Sequence, residues 1–176
     1  MIFEALALPG AFAIDLEPRG DERGFFARAF CQKEFAAHGL ATEMVQANVS
    51  QNVSKGTLRG MHYQRAPFAE VKLVRCIHGT IHDVIIDLRP DSPTYLNWLG
   101  VELSRRNRRA LYVPEGFAHG YQALEDDTEV LYLVSQFYTP SHESAIRWND
   151  PRFGIRWPLP DPILSPKDAA HPDFTP

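Results

Sequence analysis

Cysteine is scarce: Cys31 and Cys76 are the only two in 176 residues, too few for a disulfide framework. No apolar run is long enough to span a bilayer. The start, Met1-Ile2-Phe3-Glu4, has neither the basic nor the apolar stretch of a signal peptide. A cytoplasmic location is therefore expected. Excess charge of one sign is missing too. Lys and Arg number 18 against 22 Asp and Glu, a net charge of -4. That offers no basic surface to nucleic acid or to an anionic membrane. There is no internal repeat, low-complexity tract or linker. The length suits one domain, 1–176, with a substantial core. Long helical patterns are also few, and 14 prolines and 11 glycines are spread along the chain as turn signals.

What is present is a train of short strand patterns. Residues 2–16 read as two strands broken by Pro9-Gly10, and a charged turn at 19–24 leads into a strand pattern at 25–30. Residues 32–38 are the best helix, stopped by Gly39. Residues 44–53 alternate, with Met44, Gln46, Asn48 and Ser50 on one side and Val45, Ala47 and Val49 on the other. A polar strand face turned inward lines a cavity, because unpaired buried polar groups are costly. Further strands are predicted at 58–64, 71–77, 80–88, 97–103, 109–113, 119–123 and 130–137, separated by turn residues. Short strands at this spacing predict an antiparallel sandwich or barrel. Residues 148–176, rich in proline and aspartate, read as an irregular wrap with a short helix near 167–170.

The stretch Gly56-Thr57-Leu58-Arg59-Gly60-Met61-His62-Tyr63-Gln64 stands out. His62 reads as a proton-abstracting base and Arg59 as part of an anion clamp, since imidazole titrates near neutrality and guanidinium offers a planar fork.

Seven blocks in order then carry a resemblance. They are Asp21-Glu22-Arg23-Gly24-Phe25-Phe26, Leu58-Arg59-Gly60-Met61-His62-Tyr63-Gln64, Lys72-Leu73-Val74-Arg75 and Asp83-Val84-Ile85-Ile86-Asp87-Leu88-Arg89. Pro114-Glu115-Gly116-Phe117-Ala118-His119-Gly120, Trp148-Asn149-Asp150-Pro151 and Ile163-Leu164-Ser165-Pro166-Lys167-Asp168 complete them. The chain resembles the dTDP-4-dehydrorhamnose 3,5-epimerase family over nearly its whole length. The resemblance implies an all-β, cupin-type jelly-roll barrel with short peripheral helices, a homodimer, and neither cofactor nor metal. It implies epimerisation of a nucleoside-diphosphate 4-keto-6-deoxyhexose. A base removes an acidic proton beside the ketone, and a neutral acid of high pKa returns one to the opposite face. His62 fills the first role and Tyr132 the second. Asp168 stands behind the base to fix its tautomer, and Lys72 stabilises developing negative charge.

Around the nucleotide and sugar the resemblance gathers Arg59, Arg23, Phe26, His119, Lys167, Gln46 and Asn48. Arg23 and Phe26 come from an N-terminal segment, within 1–30, exchanged with the partner subunit. The plainer alternatives are a structural histidine, a core tyrosine, a strand-edge lysine and a helix-capping aspartate.

A non-catalytic sugar-nucleotide-binding cupin and a metal-dependent cupin are the competing functions. The second needs a His-x-His pair, and the sequence here is His62-Tyr63-Gln64. His62 and His119 without a placed carboxylate make a poor metal site. His78 and His82 are expected on the surface. Four positions depart from the family pattern: Arg28 for glutamate, Leu133 for lysine, Val49 for histidine or glutamate, and Tyr121 for phenylalanine. All four are expected to touch the pocket. They leave open an enzyme that inverts C3 or C5 alone, and the nucleotide base.

Overall fold

The computed structural model describes residues 1–176. The strands arise where the pattern alternates. They are β1 (Ile2–Ala5), β2 (Phe12–Asp15), β3 (Arg19–Asp21), β4 (Gly24–Phe26), β5 (Gln46–Asn52), β6 (Leu58–Gln64) and β7 (Lys72–His78). Then follow β8 (Thr80–Asp87), β9 (Trp98–Ser104), β10 (Ala110–Val113), β11 (Phe117–Ala123), β12 (Thr128–Val134) and β13 (Glu143–Ala145). Only two short α-helices form, α1 (Gln32–Ala37) and α2 (Pro166–Ala169). Neither is long and apolar enough to cross a membrane.

Two antiparallel sheets face each other. One runs β1-β2-β10-β7-β12-β5 and the other β13-β6-β11-β8-β9. Because side chains alternate across a strand, a central strand can feed two different apolar layers. On β7, Val74 and Cys76 point between the sheets, into a core with Ile81, Ile85, Leu111, Phe117 and Val130. Its neighbour Leu73 points outward, beneath α1, with Ile14, Phe35 and Tyr112. On the second sheet, Met61, Val84 and Ile86 point outward under the tail, against Ile146, Phe153 and Trp157. The wrap expected for 148–176 thus covers a sheet face that would otherwise be wet. This is the antiparallel sandwich that the strand spacing predicts, in the jelly-roll form that the resemblance implies.

One crossing holds the site strands in place. A Cβ on Gly60 would lie 2.5 Å from the Cα of Gly120, and one on Gly120 would lie 2.6 Å from Met61 Sδ. Gly60 also has φ +138°, which side-chain-bearing residues rarely adopt. The absence of both side chains lets β6 and β11 close together. There the register shifts by a bulge between His119 and Tyr121, and His119 sits directly opposite His62.

Two expectations need correction. The strand pattern at 25–30 is realised only at Gly24–Phe26, where it pairs with Arg19–Asp21 as a separate two-stranded hairpin. His78 is exposed, but His82 is not a surface residue. Its ring is half-buried, edge-on to Trp157, in the space that Gly100 leaves open. Burial holds its pKa below the usual histidine range.

Candidate active site

The cavity lies between the sheets, beyond the end of their shared core. Its larger lobe, about 320 Å³, is lined by Gln46, Asn48, His62, Gln64, Glu70, Lys72, Tyr132, Tyr138 and Glu143, among others. A smaller lobe of about 170 Å³ is lined by Ser50, Arg59, His62, Lys72, His119, Tyr121 and Tyr132. His62, Lys72 and Tyr132 belong to both lobes.

The two sheets contribute different chemistry. Gln46 and Asn48 on β5, Lys72 on β7 and Tyr132 on β12 form one wall. Tyr132 pairs with Asn48 and Val74, and Lys72 with Val134, so strand register alone brings these four together. Arg59 and His62 on β6 and His119 on β11 form the opposite wall. His62 and Tyr132 therefore face one space from opposite sheets.

His62 is held from behind. Its Nε2 lies 2.6 Å from Asp168 Oδ1. Asp168 is buried at 5% exposure, and its own position has a local cause. Ser165 caps α2: its Oγ accepts from the Asp168 backbone N–H at 3.0 Å and donates to Asp168 Oδ2 at 2.8 Å. The single Ser165 hydroxyl thus caps the helix and holds the carboxylate. It leaves Oδ1 free for the imidazole. The tail is tied to β6 by Leu58 N–H donating to Ile163 O at 2.9 Å. Burial pushes the Asp168 pKa up, but the hydrogen bonds from His62 and Ser165 outweigh it and hold the carboxyl at about 2. The cap of α2 is therefore Ser165 and not Asp168, whose carboxylate is directed to His62.

Tyr132 is kept protonated. Burial raises its pKa, the Glu70 carboxylate raises it further, and Arg59 acts in the opposite sense. Lys72 Nζ pairs with Glu70 at 3.1 Å, with both side chains nearly buried. Arg59 Nε donates to Asn52 Oδ1 at 2.8 Å and its Nη2 to Gln51 O at 3.0 Å, which fixes the guanidinium at the edge of the smaller lobe. His119 Nε2 lies 2.5 Å from buried Asp83 Oδ1, a second imidazole–carboxylate pair.

Three expected residues stand apart. Arg23 is 89% exposed and paired to Asp21, and Phe26 is 73% exposed. Both sit on the outer hairpin, away from this chain's cavity. Lys167 does not line the cavity either. Its ammonium bonds both oxygens of Glu143 at 2.7 Å, and Glu143 does line it. Glu70, Tyr138 and Glu143 were missed in the sequence, where each is an ordinary polar residue in a turn or short strand.

Of the three departures outside residues 1–30, two need correction, because only Tyr121 reaches the cavity. Its hydroxyl bonds Ser50 Oγ at 2.7 Å. Val49 is on the outward face of β5 at 61% exposure. Leu133 points out beneath α1. Arg28 pairs with Glu34 on the exterior. Strand alternation decides the first two, since each is adjacent to a cavity residue and so points away.

The premise that no carboxylate is placed near the histidines also fails. Asp168 and a further residue, His171, meet His62, with one donor atom from each within 4.8 Å of the others.

Comparison with known proteins identifies the family. The family model described as dTDP-4-dehydrorhamnose 3,5-epimerase matches residues 5–175. A relative of that name from Shigella flexneri is 46% identical over 162 residues, covering 92% of this chain and 89% of the relative. The crystal structure of the Bacillus anthracis enzyme with TDP and PPi bound has TM-score 0.96 at 41% identity, covering 98% of this chain and 99% of that one. The Legionella pneumophila enzyme in complex with dTDP-4-keto-L-rhamnose has TM-score 0.92 at 38% identity, covering 98% and 92%. Match length, identity and superposition agree with the seven sequence blocks: the chain belongs to the dTDP-4-dehydrorhamnose 3,5-epimerase family.

Proposed function

We propose that this isomerase converts dTDP-4-dehydro-6-deoxy-D-glucose to dTDP-4-dehydro-L-rhamnose, inverting C3 and C5. His62 removes the proton beside the C4 ketone from one face of the ring. Tyr132 returns a proton from the other. The Lys72 ammonium stabilises the enolate oxygen that forms between these steps. Asp168 holds the His62 Nε2–H, which leaves Nδ1 as the accepting atom. Arg59 and His119, with Gln46 and Asn48, hold the diphosphate and sugar. No residue in this scheme calls for a cofactor.

One observation carries the reading: an imidazole backed by a buried carboxylate and a tyrosine held protonated face one cavity from opposite sheets. A base and an acid on opposite faces are what inversion needs. A binding module would need neither.

The protein works as a cytoplasmic homodimer in this proposal. Arg23 and Phe26 reach the partner's cavity, and within residues 1–30 the exchanged part is the hairpin β3–β4. The support is that β1 and β2 pair into the chain's own sheet, whereas the hairpin pairs only with itself and exposes Phe25 and Phe26. Both cysteines are free, as a reducing compartment allows.

The test is incubation with dTDP-4-keto-6-deoxyglucose in D2O, locating deuterium by NMR. Deuterium at C3 and C5 is expected. Label at one carbon alone would make it a mono-epimerase. No exchange with any dTDP-, CDP-, GDP- or UDP-linked 4-keto sugar would overturn the enzyme reading.

A further inference from the structure

We propose that His62, Asp168 and His171 form an inhibitory site for a zinc-like divalent metal, which switches the base off by reversing its tautomer. The binding part rests on geometry alone. The inhibitory part rests on His62 as the base.

His171 follows α2 on the wrapping tail and has no part in the chemistry above. Its ring stands edge-on to His62, centroids 5.6 Å apart at 88°. Its Nε2 is buried without a hydrogen-bond partner. That atom lies 3.3 Å from Asp168 Oδ1, the same oxygen that His62 Nε2 approaches to 2.6 Å. A buried polar atom with no partner is costly and rare. This one points at a carboxylate already engaged by a second imidazole. Packing alone would not need a nitrogen there.

The donor set suits the ion. Two imidazoles and a carboxylate are a common zinc combination, with a fourth position left for water. Zinc bonds of about 2.0–2.1 Å at tetrahedral angles put neighbouring donors about 3.4 Å apart. The Asp168–His171 edge is already 3.3 Å. The Asp168–His62 edge is a hydrogen bond and opens once the proton leaves it.

The consequence is tautomeric. Without metal, His62 Nε2 carries the proton and Nδ1 keeps the lone pair. Metal takes the Nε2 lone pair, and the proton relocates to Nδ1. Nothing is oxidised or reduced. Nδ1 then donates instead of accepting and no longer abstracts a proton from the sugar.

Two measurements on the full-length, chelator-treated protein test this. Zinc is titrated against a chromogenic chelator without substrate, and zinc inhibition of deuterium wash-in is followed with EDTA reversal. Wild type should bind one zinc per chain and lose wash-in as zinc fills the site. His171→Ala and the milder His171→Asn should weaken binding about 10–100-fold and shift the inhibitory concentration equally. Absence of stoichiometric zinc in wild type, or equal affinity in both variants, overturns the site. Stoichiometric zinc with unimpaired wash-in overturns the switch. Absence of wash-in in the metal-free protein overturns the epimerase reading instead, and the chelator titration still judges the site.

Discussion

At the scale of single residues, the division of labour between His62 and Tyr132 has separable consequences. In the proposed mechanism, proton removal and proton return use groups on different sheets, so they can be cut apart. Tyr132→Phe should leave exchange on the His62 face largely intact while slowing inversion about 10²–10⁴-fold. Deuterium wash-in followed beside product formation checks it; equal loss of both would refute the division. His62→Asn should remove exchange and inversion together. The legibility of these residues was uneven. His62 stood in a distinctive block and Tyr132 in an ordinary apolar strand, Val130-Leu131-Tyr132-Leu133-Val134. Only the pairing of β12 with β5 and β7 explains why Tyr132, and not a neighbour, faces the cavity.

At the scale of elements, one feature positions the site and another stabilises the fold. The first is the crossing of β6 and β11. Gly60→Ala would force a Cβ to 2.5 Å from the Gly120 backbone at a φ of +138°. Backbone strain and overpacking each cost about 1–3 kcal/mol. A large fall in thermal midpoint is expected, with loss of wash-in at temperatures where the variant stays folded. The second is the corner after β8. Asp87 there is buried and accepts from Arg89, Ser92 and Thr94. Burial pushes its pKa up, but those bonds outweigh it and hold it at about 2. The folded pKa is depressed, so this stabilisation is complete above the unfolded carboxyl value and fades as pH falls through about 2. Asp87→Asn should cost about 2 kcal/mol at pH 6. It should also flatten the decline between pH 4 and pH 2 relative to wild type, as urea unfolding at several pH values would reveal.

At the scale of the whole molecule, the cavity of one chain lacks Arg23 and Phe26 unless a second chain supplies them. A mixture of two inactive proteins tests that directly. In a heterodimer of Arg23→Ala and His62→Asn chains, one site carries both changes and the other carries neither. Random re-pairing at equal amounts should restore about a quarter of the wild-type sites. No recovery after verified subunit exchange would overturn the exchanged hairpin. Light scattering on the wild type should give the mass of two chains.

The sequence by itself determined the strand train, the polar face of β5, the short helices, the tail and the family blocks. These follow from local periodicity and turn chemistry, which each short segment carries alone. Tertiary structure decided which side of each strand became the cavity and which became an outer layer. It put Val49 and Leu133 outside while their neighbours face in. It also brought Asp168 and His171 from the chain's end to His62, 106 residues away from Asp168 in sequence. Long-range register and the path of an irregular tail depend on burying two sheet faces at once, and no local stretch encodes that.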